Sequence, residues 1–78
     1  MFKKYRVTGL VSYQVDKGMR LAIPAGQIVD VDETEFEEGG HRYVASMTWT
    51  DSNGKQWREK WTAGFWTQLV RTQVQEVQ

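Results

Sequence analysis

The chain has 78 residues, room for one small domain that buries only ~60–65% of the surface its unfolded form exposes, and it holds no cysteine, so neither a disulfide framework nor a thiolate metal site reinforces it. Ten acidic residues balance ten basic ones, which leaves no overall field to draw the domain to nucleic acid or to an anionic membrane. Four Trp, three Tyr and three Phe must then supply the stability, and the core is expected to be aromatic.

The N-terminal stretch MFKKYRVTGLV alternates apolar and polar residues where a leader would be continuously apolar, and no apolar run spans a bilayer, which points to a cytoplasmic protein without a membrane partner. A start Met and the absence of linkers point to a complete small gene product. From Tyr5 to Val15 the odd positions are mostly apolar, the period of a half-buried strand, with Gly9 marking a bend or bulge in its middle. Asp16-Lys17-Gly18 turns the chain into a second strand over 19–23, which Pro24 ends, and Ile28 begins a third over 28–33.

Residues 30–38, DVDETEFEE, carry six carboxylates. A solvated acidic loop with Phe36 tucked back on the fold is the expectation, since charge runs are usually solvated faces. A calcium site built on Asp30, Asp32 and Glu35 lacks the glycine and the distal bidentate Glu that a calcium-hand loop needs. Presentation of the run to a basic partner, as a mimic of a nucleic-acid backbone, is a third reading. Gly39-Gly40 then releases the chain into a hairpin from Tyr43 to Trp61, with strands over 43–50 and 55–61.

The turn of that hairpin, Asp51-Ser52-Asn53-Gly54-Lys55, suits a type I turn closed by a glycine bulge. The matching register sets Trp49 opposite Trp57, Met47 opposite Glu59 and Ala45 opposite Trp61, so that aromatic meets aromatic. Thr62 to Val70 is short for a helix of ordinary length; one helical turn leading into a last strand over 67–72 is expected, no helix longer than two turns, and Trp66 out of solvent. Residues 73–78 are a polar tail expected to fray. The core is expected to hold Val7, Val11, Leu21, Ile23, Val29, Val31, Ala45, Met47, Trp61, Trp66 and Leu69.

Three stretches resemble the Src-homology-3 type of small barrel: Gly9-Leu10-Val11-Ser12-Tyr13-Gln14 its first-strand motif Ala-Leu-Tyr-Asp-Tyr, Leu21 to Val31 its diverging turn, and Ala63-Gly64-Phe65-Trp66-Thr67-Gln68-Leu69 its closing single turn. The resemblance implies an all-β, SH3-like barrel of five to six short strands over residues 1–72, with one short helical turn before the last strand. In the peptide-binding members a groove of aromatics grips a proline-rich ligand. Tyr13 matches the second motif tyrosine and Phe65 stands where the late tyrosine would be; Val11 replaces the first, and Gly40-His41-Arg42-Tyr43 stands where a tryptophan would follow the acidic loop. The match implies a fold rather than an activity.

Catalysis is not expected. His41 is the sole histidine, the glycines sit at separate turns and form no phosphate cradle, and zinc lacks ligands, so neither metal nor cofactor is expected. The favoured reading is a non-catalytic protein-binding module with rigid aromatics, Tyr13, Tyr43, Trp57 and Phe65, flanked by the steering carboxylates Glu37 and Glu38. The partner's identity and the oligomeric state stay open. In size and type the chain resembles the small inhibitors with which bacteriophages occupy a host protein's surface. The alternative is a nucleic-acid-binding small barrel that uses a basic strip of Arg42, Arg58 and Lys60 beside aromatics, although alternation along the strand puts Arg58 and Lys60 on the face away from Trp57 and Trp61.

Overall fold

A computed structural model describes residues 2–78. They form β1 (Phe2–Val7), β2 (Val11–Asp16), β3 (Met19–Ile23), β4 (Ile28–Asp32), β5 (Phe36–Glu38), β6 (His41–Tyr43), β7 (Ala45–Thr50), β8 (Gln56–Trp61), α1 (Ala63–Thr72) and β9 (Val74–Glu76). Five strands make one antiparallel sheet in the order β8-β7-β4-β1-β9, and the hairpins β2–β3 and β5–β6 stand as separate two-stranded sheets. The fold is small and mostly β with one short helix, and its hydrogen-bonded ladders are those of open sheets.

The single strand expected over 5–15 is in fact two, serving different sheets. β1 pairs with β4 and β9, whereas β2 pairs with β3. The break falls at Thr8-Gly9, whose N–H groups both reach the Gln73 carbonyl, at 2.8 and 3.3 Å, and so leave the ladder. Alternation survives the break, since Tyr5, Val7, Val11 and Tyr13 are all buried. The acidic run is likewise more ordered than a loop. Its end is β5, and Gly39 and Gly40, with φ of 59° and 80°, make a two-residue turn into β6 that only residues tolerant of positive φ can form.

The β7–β8 hairpin has the register read from its turn: Trp49 faces Trp57, Met47 faces Glu59 and Ala45 faces Trp61. Gly54, at φ 83°, donates its N–H to the Asp51 carbonyl at 3.0 Å. Asp51 Oδ1 accepts from the N–H groups of Asn53 and Lys55, and its Oδ2 accepts from the Trp57 indole at 2.9 Å. The indole bond, helped by the two backbone donors, holds the Asp51 carboxyl below the ordinary carboxylate range.

The final third of the chain departs most from expectation. Residues 67–72 are helix rather than strand, and α1 runs ten residues, past the two-turn limit. Trp66 and Leu69, spaced i and i+3, form its one buried face. At its end the Gln73 N–H reaches the Leu69 carbonyl, and Arg71 lies where a cation suits the helix dipole. Residues 73–78 do not simply fray: Val74 is buried and β9 pairs with β1, Tyr5 opposite Glu76 and Val7 opposite Val74.

Of the expected core, Leu21 is only partly buried, and the other ten residues are buried. Tyr5, Tyr13, Trp49 and Val74 join them. Two edge-to-face ring pairs organise this core, Tyr5 with Trp66 at 5.3 Å and Tyr13 with Trp61 at 5.2 Å, and the Trp49 indole donates to the Tyr13 hydroxyl at 3.0 Å. Trp66 is out of solvent, as expected. No helix among the described residues is long and apolar enough to cross a membrane.

Tyr5 ties the core to the acidic run by donating to Glu33 at 2.9 Å, and Lys3 lies 3.3 Å from the same carboxylate. Burial, and then that bond, push the Tyr5 phenol up to about 12 from its ordinary 10.0. For Glu33 burial alone acts upward, but the bonds from Tyr5 and Lys3 outweigh it and hold the carboxyl below its ordinary value. A raised phenol stabilises the fold fully below pH 10 and loses that contribution as pH rises towards 12; a depressed carboxyl contributes above the ordinary carboxylate range and is lost as pH falls through its folded value. Urea titrations across this range should show stability declining from pH 10 upward, with a shallower slope in Tyr5→Phe. Equal slopes in the two proteins would mean that the phenol is not linked to folding.

Candidate functional site

The aromatics expected to form one rim fall into three neighbourhoods. Tyr13 is no surface anchor: it is 5% exposed, wedged between Trp61 and the Trp49 indole, and burial raises its phenol pKa. Trp57 is half-buried at the β7–β8 turn, bonded to Asp51 and with the Lys55 ammonium 4.1 Å from its ring centroid. Tyr43 is half-buried on β6, stacked on Phe36 at 5.3 Å with Lys60 above it at 5.2 Å. Phe65, on the first turn of α1, is 46% exposed and lies flat on Trp61, 4.9 Å between centroids and 17° between planes.

Phe65 is therefore the exposed end of an aromatic chain that runs out of the core through Trp49, Tyr13 and Trp61. It borders an open depression of ≈ 330 Å³ between hairpin β2–β3 and the end of β8, where Arg20, Glu59, Lys60 and Trp61 also contribute. Arg20 is fixed there by the Ser12 hydroxyl and carbonyl, each at 3.3 Å. The Trp61 indole N–H is the one buried side-chain polar atom among the described residues without a partner, an uncommon cost in a domain with so little stability to spare.

The charges expected to serve two rival sites are instead bonded to each other. Glu37 pairs with Arg42 at 3.3 Å, and Glu38 pairs with Lys60. Both pairs follow from the β5–β6 hairpin, which sets Glu37 opposite Arg42 and carries Glu38 back towards β8. The carboxylates meant to steer a basic partner thus neutralise two of the three cations meant to touch phosphates. Arg58 meets no carboxylate among the described residues and lies with Phe36, Glu38, Ser46 and Lys60 around a second depression of ≈ 430 Å³.

Elsewhere along the run Asp30 pairs with Lys4 at 2.7 Å. The Thr34 hydroxyl donates to Asp32 at 2.7 Å and lowers its carboxyl. Among the described residues no three acidic or histidine side chains converge as a metal ion would require. Sequence reading missed Arg20 and Glu59 as wall residues. For Glu59 a signal existed, since the register that joins Trp49 to Trp57 puts Glu59 on the same face as Trp61. The chain matches no protein-family model, no curated protein and no solved structure.

Proposed function

We propose that this domain is a small, non-catalytic protein-binding module whose contact surface is the depression between hairpin β2–β3, the end of β8 and α1. The observation that carries the reading is Phe65. A large ring lies nearly half exposed on a buried tryptophan, held flat by a rigid aromatic chain and flanked by charges of both signs, which is the form of an interface anchor. The Src-homology-3 likeness stands as a proposal for the frame. Its first stretch opens β2 and its third opens α1, and Ser12, Tyr13, Gln14 and Phe65 from these two line the depression; its second spans the β3–β4 connection, away from it. The nucleic-acid reading is less favoured, because two of its three cations are ion-paired.

Phe65→Ala tests the proposal. A hot-spot ring of this kind is worth roughly 2 kcal/mol of binding or more, about a thirtyfold loss of affinity, while stability should fall by only ~1 kcal/mol because half the ring is already in water. A pull-down from a bacterial lysate treated with nuclease, repeated with the variant after its melting curve has been checked, reads both. A partner held equally by wild type and Phe65→Ala would remove the depression as the contact surface; retention that vanishes with nuclease would favour the nucleic-acid reading.

A further inference from the structure

The five-stranded sheet ends in two strands. β9 has three residues, while β8 has six and, among the described residues, no partner strand on its outer side. Its register with β7 decides what that side offers. The Asp51 N–H donates to the Lys55 carbonyl at 2.9 Å, so the pairs Trp49–Trp57, Met47–Glu59 and Ala45–Trp61, each two residues on, are the hydrogen-bonded ones. The backbone groups of Gln56, Arg58 and Lys60 therefore point away from β7. Lys60 shows it directly, because its N–H is taken by its neighbour's side chain, Glu59 Oε1, at 2.8 Å.

Charge then selects what can pair there. Alternation puts Arg58 and Lys60 on one face of β8, and Trp57, Glu59 and Trp61 on the other. A second copy of the chain is a poor fit in the two registers that overlap β8 most, five residues of its six. An antiparallel dyad centred on Arg58 sets Arg58 opposite Arg58; one centred on Glu59 sets Arg58 opposite Lys60 and Glu59 opposite Glu59, and like charges directly opposite are destabilising. Arg58 has no carboxylate partner among the described residues, and the Lys60–Glu38 pair is exposed and weak enough to exchange.

We infer that β8 accepts an extended segment of a partner protein as an added strand, and that the segment alternates acidic with apolar residues. Its carboxylates meet Arg58 and Lys60, and its apolar side chains fall on the side of Trp61 and Phe65. The Glu59 carboxylate covers the Lys60 N–H until a carbonyl of the segment replaces it. This rests on the protein-binding reading above and names its mode.

The test titrates the isotope-labelled protein with a capped peptide alternating Glu and Val, with the same peptide N-methylated throughout, and with a Lys–Val counterpart, following backbone amides by NMR. The Glu–Val peptide is expected to shift the Gln56, Arg58 and Lys60 amides and slow their hydrogen exchange, with the other two peptides at least about tenfold weaker. Arg58→Glu should weaken it about tenfold, Arg58→Gln less, and Glu59→Ala should tighten it about threefold by freeing the Lys60 N–H. Arg58 is exposed opposite Thr48, so both arginine variants should fold. Equal binding by the N-methylated or the Lys–Val peptide, or no β8 shift at millimolar Glu–Val peptide, overturns the strand site. A lysate partner lost from Phe65→Ala but kept by Arg58→Glu also overturns it while leaving the protein-binding reading intact; β8 shifts without any Phe65-dependent partner do the reverse.

Discussion

Trp66→Ala is expected to cost the domain about 3–5 kcal/mol, a quarter or more of its stability. Trp66 is 6% exposed and sets its ring edge against Tyr5, and with Leu69 it forms the whole buried face of α1. Truncating a buried Trp to Ala costs about 3–5 kcal/mol, and a domain of this length is stable by only roughly 4–12 kcal/mol. The loss therefore takes between roughly a quarter and all of that margin. Phe65, the neighbouring ring on the same helix, is the internal control, because its truncation should cost a fraction as much. Urea denaturation of both variants, followed by far-ultraviolet circular dichroism, separates them. Trp66→Ala within ~1 kcal/mol of wild type would mean that α1 does not pack on the sheet through that ring.

Ending the chain at Thr72 should cost almost as much, about 3–5 kcal/mol. Val74 is buried against β1, and burial of a valine is worth about 1.5–3 kcal/mol. Gln73 is bonded on every side: its N–H caps α1 at Leu69, its carbonyl accepts from Thr8 and Gly9, and its side-chain amide donates to the Leu10 carbonyl at 2.7 Å. At the low end of what a hydrogen bond near the surface contributes, about 0.5 kcal/mol each, these four bonds add about 2 kcal/mol. Removing Gln78 alone, which leaves the Val77 N–H on the Lys4 carbonyl at 2.8 Å, should change stability by less than ~0.5 kcal/mol. Thermal melts of the two truncations check the contrast, and equal melting temperatures would show that the last residues fray after all.

The composition of the candidate site was only half legible for a related reason. Phe65, Glu37, Glu38, Arg42, Arg58 and Lys60 stand out in the sequence as ring or charge, and all of them are on or near the surface. Their partners were not legible. Glu38 meets Lys60 across 22 residues of chain, and Tyr13 is buried because Trp49 and Trp61 converge on it from β7 and β8. An aromatic in an alternating strand is equally suited to core or rim until the opposing elements are in place.

What the sequence determined by itself is local. Period-two alternation named most of the core, Asp51 and Gly54 specified the turn of the β7–β8 hairpin, and that turn set the register of six residue pairs. Both signals act within a few residues, so they hold wherever the segment ends up. Tertiary structure decided the rest. Thr67 to Thr72 carries Val and Thr, which suit a strand, yet it is helix because Trp66 and Leu69 one turn apart can bury together beside Tyr5 from the opposite end of the chain. Polar residues 73–78 are held because β1 offers an open edge that Val74 can reach. Weak local preference in a short segment amounts to a few tenths of a kcal/mol per residue, and burying a single tryptophan outweighs it.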